Sequence, residues 1–231
     1  TFGSNNFGGN SIEFGIREHA MGGIVNGLAL HSNLMPYGST FLVFSDYMRP
    51  SMRLASLMNV NSLFIFTHDS IYLGEDGPTH QPIEHLMSLR LIPNLDVIRP
   101  SNSMELIHSY RYALEKKDNP KAIILSRQNM KFFDNDVSYK DFQTGAYEFM
   151  PGKDITLVAT GSELELAFEI SKNLKDLSVQ IISAPILNKI NKEKVESLNL
   201  NQNIFTLELG RSIGWDSYIE NITRSFSIDS F

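Results

Sequence analysis

Two imidazoles, His68 and His80, bracket a segment that also holds Asp69, Glu75, Asp76 and Thr79 and is punctuated by Gly74, Gly77 and Pro78, with Pro82 just beyond. Imidazole exchanges protons near neutral pH, and nearby carboxylates and a hydroxyl supply hydrogen-bond partners for that exchange. Glycine and proline at this density make the segment a loop. Asp, His and Thr also build self-satisfied turns, so a purely structural loop stays open on composition alone. Several polar groups gathered at the end of a strand fit a catalytic loop better.

Other residues offer complementary chemistry. Arg17-Glu18-His19 opens a helix expected from about Arg17 to Leu30, where a carboxylate is favoured by unpaired amides and the helix dipole. If buried, Glu18 gains proton affinity and is able to share a proton with a ring nitrogen of a bound heterocycle. Phe41, Phe44 and Tyr47 are spaced so that they cannot all lie on one face of a strand. They are either core or a stacking platform for a flat ring. Arg127 follows an apolar run, and its guanidinium suits either a terminal phosphate or a surface ion pair.

The elements that position these groups follow from patterning. Short β-rich runs at Thr40 to Phe44, Leu63 to Phe66, Leu95 to Ile98 and Ala122 to Leu125 alternate with helix-like stretches, which predicts a parallel sheet with helices on its faces. His68 then stands where a strand ends and a loop begins, the edge at which such sheets bind ligands. Ala20, Gly22, Gly23, Gly27 and Ala29 cost helix propensity, so the first helix is expected to be buried and tightly packed. Ser101 or Ser103 is expected to cap the helix running to about Lys117, after Pro100 stops a strand.

From about Met130 to Gly152 the α/β rhythm fades, which predicts a connection between two units. The expected division is 1–130, a linker over 131–152, and a second, smaller α/β unit over 153–231. Strands are expected at Ile155 to Thr160, Val179 to Ile182 and Ile204 to Leu207, with Ser162 and Glu165 at capping-box spacing. The turn Thr160-Gly161-Ser162 has the look of a phosphate cradle, although ordinary strand-to-helix capping is the commoner use of one glycine.

Composition narrows the classes. The chain has 231 residues, 42% of them hydrophobic and 20% charged, as expected of a globular protein. A net charge of −6 argues against general nucleic-acid binding, so bound phosphate must be met by a few placed residues. Absence of cysteine excludes disulfides, thiol nucleophiles and thiolate metal sites and is compatible with a cytoplasmic setting. No apolar run of about 18 residues suggests a membrane span. The chain opens and closes abruptly and reads as part of something longer, with its second unit cut short.

Taken together, Gly15-Ile16-Arg17-Glu18-His19-Ala20-Met21, Pro36-Tyr37-Gly38-Ser39-Thr40-Phe41, Phe44-Ser45-Asp46-Tyr47, Thr67-His68-Asp69-Ser70, Gly74 to Pro82 and Ser126-Arg127-Gln128 closely resemble the transketolase family. The resemblance is dense from about Asn10 to Asn129 and looser beyond, through Ala159 to Glu163. It implies a pyrimidine-binding thiamine diphosphate fold followed by a C-terminal domain, in an enzyme moving a two-carbon ketol unit between sugar phosphates such as xylulose 5-phosphate and ribose 5-phosphate in the pentose phosphate pathway. Glu18 matches the glutamate that shares a proton with N1′ of the aminopyrimidine. Phe41 matches the aromatic that stacks on that ring, with Phe44 and Tyr47 completing the pocket. His68 and Arg127 match the grip on the sugar phosphate, Asp76 the group that reads the C2 hydroxyl, and His80 the group beside the C1 hydroxyl and donor carbonyl. Ser4 is a further candidate for phosphate.

The resemblance also implies that Mg²⁺ or Ca²⁺ and the diphosphate are held by an N-terminal domain outside these residues, on the same or a separate chain, so no metal ligand is assigned here. A homodimer is implied, with the small-residue helix as part of its interface or packed within its own unit. A dihydroxyacetone synthase-like ketol transferase, or a non-catalytic interaction module of the same fold, would share these features. Deoxyxylulose-phosphate synthase and 2-oxoacid dehydrogenases fit the Gly74 to Pro82 loop poorly.

Overall fold

The structure, a computed structural model, describes residues 1–3, 5–31, 33–133 and 137–231. Ser4 therefore lies outside the described residues. In the first unit β1 (Tyr37–Phe41), β2 (Leu63–Thr67), β3 (Asp96–Ile98) and β4 (Lys121–Ile124) form a wholly parallel sheet in the order β1-β2-β4-β3. Phe64, Phe66, Val97, Ala122 and Ile124 face α1 (Glu18–His31), α2 (Ser45–Leu57) and α3 (His85–Arg90). Ile65, Ile98 and Ile123 pack instead with Tyr112 of α4 (Ser103–Glu115). Helices on both faces explain why these strands read as continuous apolar runs.

The second unit contains α5 (Tyr139–Phe142), β5 (Tyr147–Met150), β6 (Ile155–Ala159), α6 (Glu163–Asn173), β7 (Val179–Ser183), α7 (Lys192–Ser197), β8 (Ile204–Leu207) and β9 (Ile222–Phe226). Its sheet runs β5-β7-β6-β8-β9, with β5 antiparallel to β7 and the other pairs parallel. The span 131–152 thus holds α5 and β5 as well as connecting residues.

The units share polar ties. Asn188 accepts from Val97 N and donates to Leu95 O beside β3, so the second unit meets an otherwise open strand edge. Buried Glu105 of α4 accepts from Ser183 Oγ (2.6 Å), Tyr147 OH (2.7 Å) and Ser101 N (2.6 Å). Burial pushes the Glu105 carboxyl upward, against these three donors.

Several expectations are corrected. The first strand ends at Phe41, and Leu42 to Phe44 form a 3₁₀ turn leading into α2. α1 buries one face only, through Met21, Gly22, Val25 and Asn26. A Cβ on Gly22 would meet Met48 and Ser51 at 2.8 Å, so close packing on α2 accounts for that glycine, whereas Gly23 and Gly27 face open space. The cap of α4 is Asn102, accepting from Met104 N and Glu105 N, because its side chain sits one residue before the first helical position. Ser162 makes no capping hydrogen bond to the α6 backbone and instead donates to the Glu163 carboxylate. Among the described residues no helix is long and apolar enough to cross a membrane.

Candidate functional site

Three loops meet at the carboxyl edge of the first sheet. Phe41 ends β1, His68 follows β2, and Arg127 stands three positions beyond β4. This is the edge at which parallel sheets present ligand sites. Because Phe41 leads directly into a 3₁₀ turn and then α2, Phe41, Phe44 and Tyr47 form a row. Phe41 and Phe44 lie 6.0 Å apart and near parallel (10°), and Phe44 and Tyr47 are 6.1 Å apart.

The two imidazoles address this row in turn. His68 stacks on Phe41 with ring centres 3.7 Å apart, and His80 meets Phe44 edge-on at 5.5 Å. Each is held the same way: His68 Nδ1 is 2.9 Å from Thr67 Oγ1, and His80 Nδ1 is 2.9 Å from Thr79 Oγ1. The repeated Thr-His pair thus fixes one ring nitrogen and leaves each Nε2 without a partner among the described residues. That repeat is visible in the sequence, and its meaning follows from the pairing. His68 is also left-handed at φ 59°, a conformation a non-glycine residue keeps where surrounding contacts hold it.

Burial, and then the Arg127 cation, lower the affinity of His68 for a proton below its ordinary value, against opposing pulls from Asp76 and Asp69. The neutral form of His68 is thereby favoured, and Arg127 is the fixed cation beside it. The guanidinium of Arg127 lies against Gly74 (φ 100°), where an added Cβ would come within 3.2 Å of it. Asp76 is solvent-exposed on the same loop. His68, Asp76, His80 and Arg127 are therefore gathered around one edge.

Glu18 is the first residue of α1 and half-buried. Its carboxylate makes no hydrogen bond or ion pair with another described residue. α1 packs on α2, and Ser51 of α2 bonds the His19 ring and carbonyl (3.1 and 3.0 Å).

Behind the imidazole loop lies a buried ionic network that the sequence reading missed. Arg99, just after β3, donates to Asp69, Glu163 and the Thr160 carbonyl. Glu208 accepts from Arg90 (2.7 and 2.8 Å), Thr160 Oγ1 (2.7 Å) and Trp215 Nε1 (3.1 Å). The Thr160-Gly161-Ser162 turn is filled by Arg99: a Cβ on Gly161 (φ 55°) would come within 2.7 Å of its side chain. The phosphate-cradle reading of that turn is overturned, since its cation and its space are already used. A second group also went unread: Asp46, Glu84 and His85 bring one ligand atom each to within 4.8 Å of one another.

A pyrimidine-binding α/β unit followed by a C-terminal α/β unit is the class this fold defines. The family model described as "Transketolase, pyrimidine binding domain" matches residues 1–132, and "Transketolase-like TK C-terminal domain" matches residues 145–231. A transketolase of Halalkalibacterium halodurans is 40% identical over all of this chain and 36% of its own length. One from Staphylococcus aureus is 42% identical over 96% of this chain and 36% of its own. Among solved structures, transketolase from Leishmania mexicana superposes with a TM-score of 0.87 at 35% identity, covering 94% of this chain and 33% of that one. A structure described as the inactive β4 tetramer of a split-gene transketolase shares the fold, with a TM-score of 0.77 at 24% identity over 92% of this chain and 71% of that one. The chain belongs to the transketolase family, and it spans about a third of the length of the curated relatives it matches.

Proposed function

We propose that this chain is the pyrimidine-binding and C-terminal portion of a thiamine diphosphate-dependent ketol transferase, moving a two-carbon unit from xylulose 5-phosphate to ribose 5-phosphate in the pentose phosphate pathway of the cytoplasm. The observation that carries the reading is the ring row Phe41, Phe44, Tyr47 faced by His68 and His80. The functional division proposed is 1–130 for the pyrimidine and sugar site and 153–231 for the C-terminal domain.

The residues present fit the aminopyrimidine half of the cofactor. Phe41 offers an aromatic face to a flat heterocycle, and a half-buried carboxylate without a protein partner, Glu18, suits a ring nitrogen. When bound, thiamine diphosphate supplies the carbon centre that carries the transferred unit. Glu18 holds a proton at the ring nitrogen, and Phe41, Phe44 and Tyr47 orient the ring and exclude water from it. Arg127 and His68 receive the sugar phosphate, the guanidinium supplying charge and the imidazole a hydrogen bond through its free Nε2. Asp76 accepts from the C2 hydroxyl, and His80 exchanges a proton at the C1 hydroxyl and donor carbonyl. Ser4 is kept as a further phosphate contact.

Mg²⁺ (or Ca²⁺) and the diphosphate fall to an N-terminal domain, on the same or a separate chain. A homodimer is supported by the outer side of α1, where Ile24 and Leu30 are exposed and Gly23 and Gly27 leave room for close approach. The test is Glu18→Ala in the enzyme completed with an N-terminal domain. Transfer should be abolished with the fold intact, and normal transfer would remove Glu18 from the reaction.

A further inference from the structure

His85 opens α3 with its side chain 5% exposed, beside the segment that carries His80. Its Nε2 lies 3.1 Å from Asp46 Oδ2 on α2. An ionised carboxylate only accepts, so Nε2 carries the hydrogen. In the neutral ring Nδ1 is then a bare lone pair. That atom is buried, has no hydrogen-bond partner, and faces Glu84 Oε2 at 3.8 Å. A lone pair and a carboxylate oxygen are both acceptors and cannot satisfy each other.

We propose that His85 Nδ1 and Glu84 bind a divalent transition cation of the zinc class, with Asp46 as the carboxylate that sets the ring tautomer. Zinc takes imidazole nitrogen at about 2.0–2.1 Å and carboxylate oxygen at about 2.0–2.2 Å, and two ligands 3.8 Å apart can share one ion at those lengths. A metal-bound histidine characteristically donates its other N–H to a carboxylate, as His85 does to Asp46. Glu84 and Asp46 are each 54% exposed and border a pocket of about 300 Å³, so water has access to complete the coordination. Magnesium and calcium prefer sets made only of oxygen and fit this nitrogen-centred arrangement poorly. Bound there, the ion joins Glu84 to His85, whose hydrogen bond to Asp46 ties this segment to α2, the helix that carries Tyr47. The bordering pocket is also lined by Phe44 and Tyr47, but the ion site itself needs no cofactor.

The experiment is calorimetric titration of Zn²⁺ into the full chain without thiamine diphosphate, repeated with Co²⁺, whose visible spectrum reports nitrogen ligation. One site is expected. Glu84→Gln, a change on a half-exposed side chain that leaves the core untouched, should weaken binding at least tenfold, and His85→Gln should abolish the Co²⁺ band. Asp46→Asn should weaken binding by about 10- to 100-fold, the range for outer partners of metal-bound histidines. Absence of saturable Zn²⁺ uptake, or Glu84→Gln binding as tightly as the parent, overturns the site. So does ¹⁵N NMR showing His85 doubly protonated at neutral pH and unchanged by Zn²⁺, which would make it an imidazolium between two carboxylates.

Discussion

Arg99 Nη2 lies 2.8 Å from Asp69 Oδ2, with both side chains almost wholly buried. Asp69 directly follows His68, and the same guanidinium binds Glu163 at the start of α6. One cation therefore joins the imidazole loop of the first sheet to α6, which packs on the second.

Removing that cation should be costly. Arg99→Leu leaves the Asp69 and Glu163 carboxylates buried without their cation, and breaking a buried pair in this way costs about 3–5 kcal/mol. Arg99→Lys should recover only part of it, because a single ammonium cannot reproduce the fork that spans both carboxylates and Thr160. Urea unfolding measures both, and a loss below about 1 kcal/mol in Arg99→Leu would show that the network contributes little.

Glu208 makes the acid limb of stability informative. Burial raises its proton affinity, but Arg90 and Arg99, with hydrogen bonds from Arg90 and Thr160, outweigh this and hold it at about 2, below the ordinary 4.5. A depressed carboxyl stabilises the fold above its unfolded value and loses that contribution as pH falls through its folded value. At about 1.4 kcal/mol per unit this amounts to on the order of 3 kcal/mol. Glu208→Gln should be less stable at neutral pH and show a flatter decline from pH 4.5 to 2. Parallel acid limbs for parent and variant would contradict the assignment.

His68 should titrate below 6.5, since burial and then Arg127 disfavour its charged form. The sign is that of a depressed base: its contribution to stability is full above the unfolded value and lost as pH falls through the folded one. Arg127→Ala removes one of the two depressing causes, so the NMR midpoint of His68 should move upward. An unmoved midpoint would place the guanidinium too far away to matter.

Arg127→Ala should also raise KM for phosphorylated sugars in the completed enzyme while leaving kcat nearly unchanged, because the proposed ground-state phosphate contact is what it removes. Steady-state kinetics with ribose 5-phosphate decides this, and an unchanged KM would take Arg127 out of the phosphate site.

Much of this was legible in the sequence because it is local. The runs at Leu63 to Phe66 and Ala122 to Leu125, the Gly74 to Pro82 loop and the position of His68 at a strand end all follow from patterns a few residues long. The network of Arg90, Arg99, Glu163 and Glu208 was not, since its ion pairs lie 64 and 118 positions apart and each residue alone looks like an ordinary surface charge. α1 illustrates a different limit. Its glycines and alanines signal close packing, but of the three glycines only Gly22 meets a neighbour among the described residues, and Gly23 and Gly27 do not. Phe44 was read as the end of a strand because aromatic runs favour strands, and the tight turn into α2 overrode that preference.

The most direct measurement is ketol transfer from xylulose 5-phosphate to ribose 5-phosphate, with thiamine diphosphate and Mg²⁺, by this chain alone and with a transketolase N-terminal domain added. Silence alone and activity with the added domain is the predicted result, with the chemistry completed where the two parts meet. Silence in both mixtures, with the chain folded and bound to the added domain, would contradict the catalytic reading and leave an interaction module in its place.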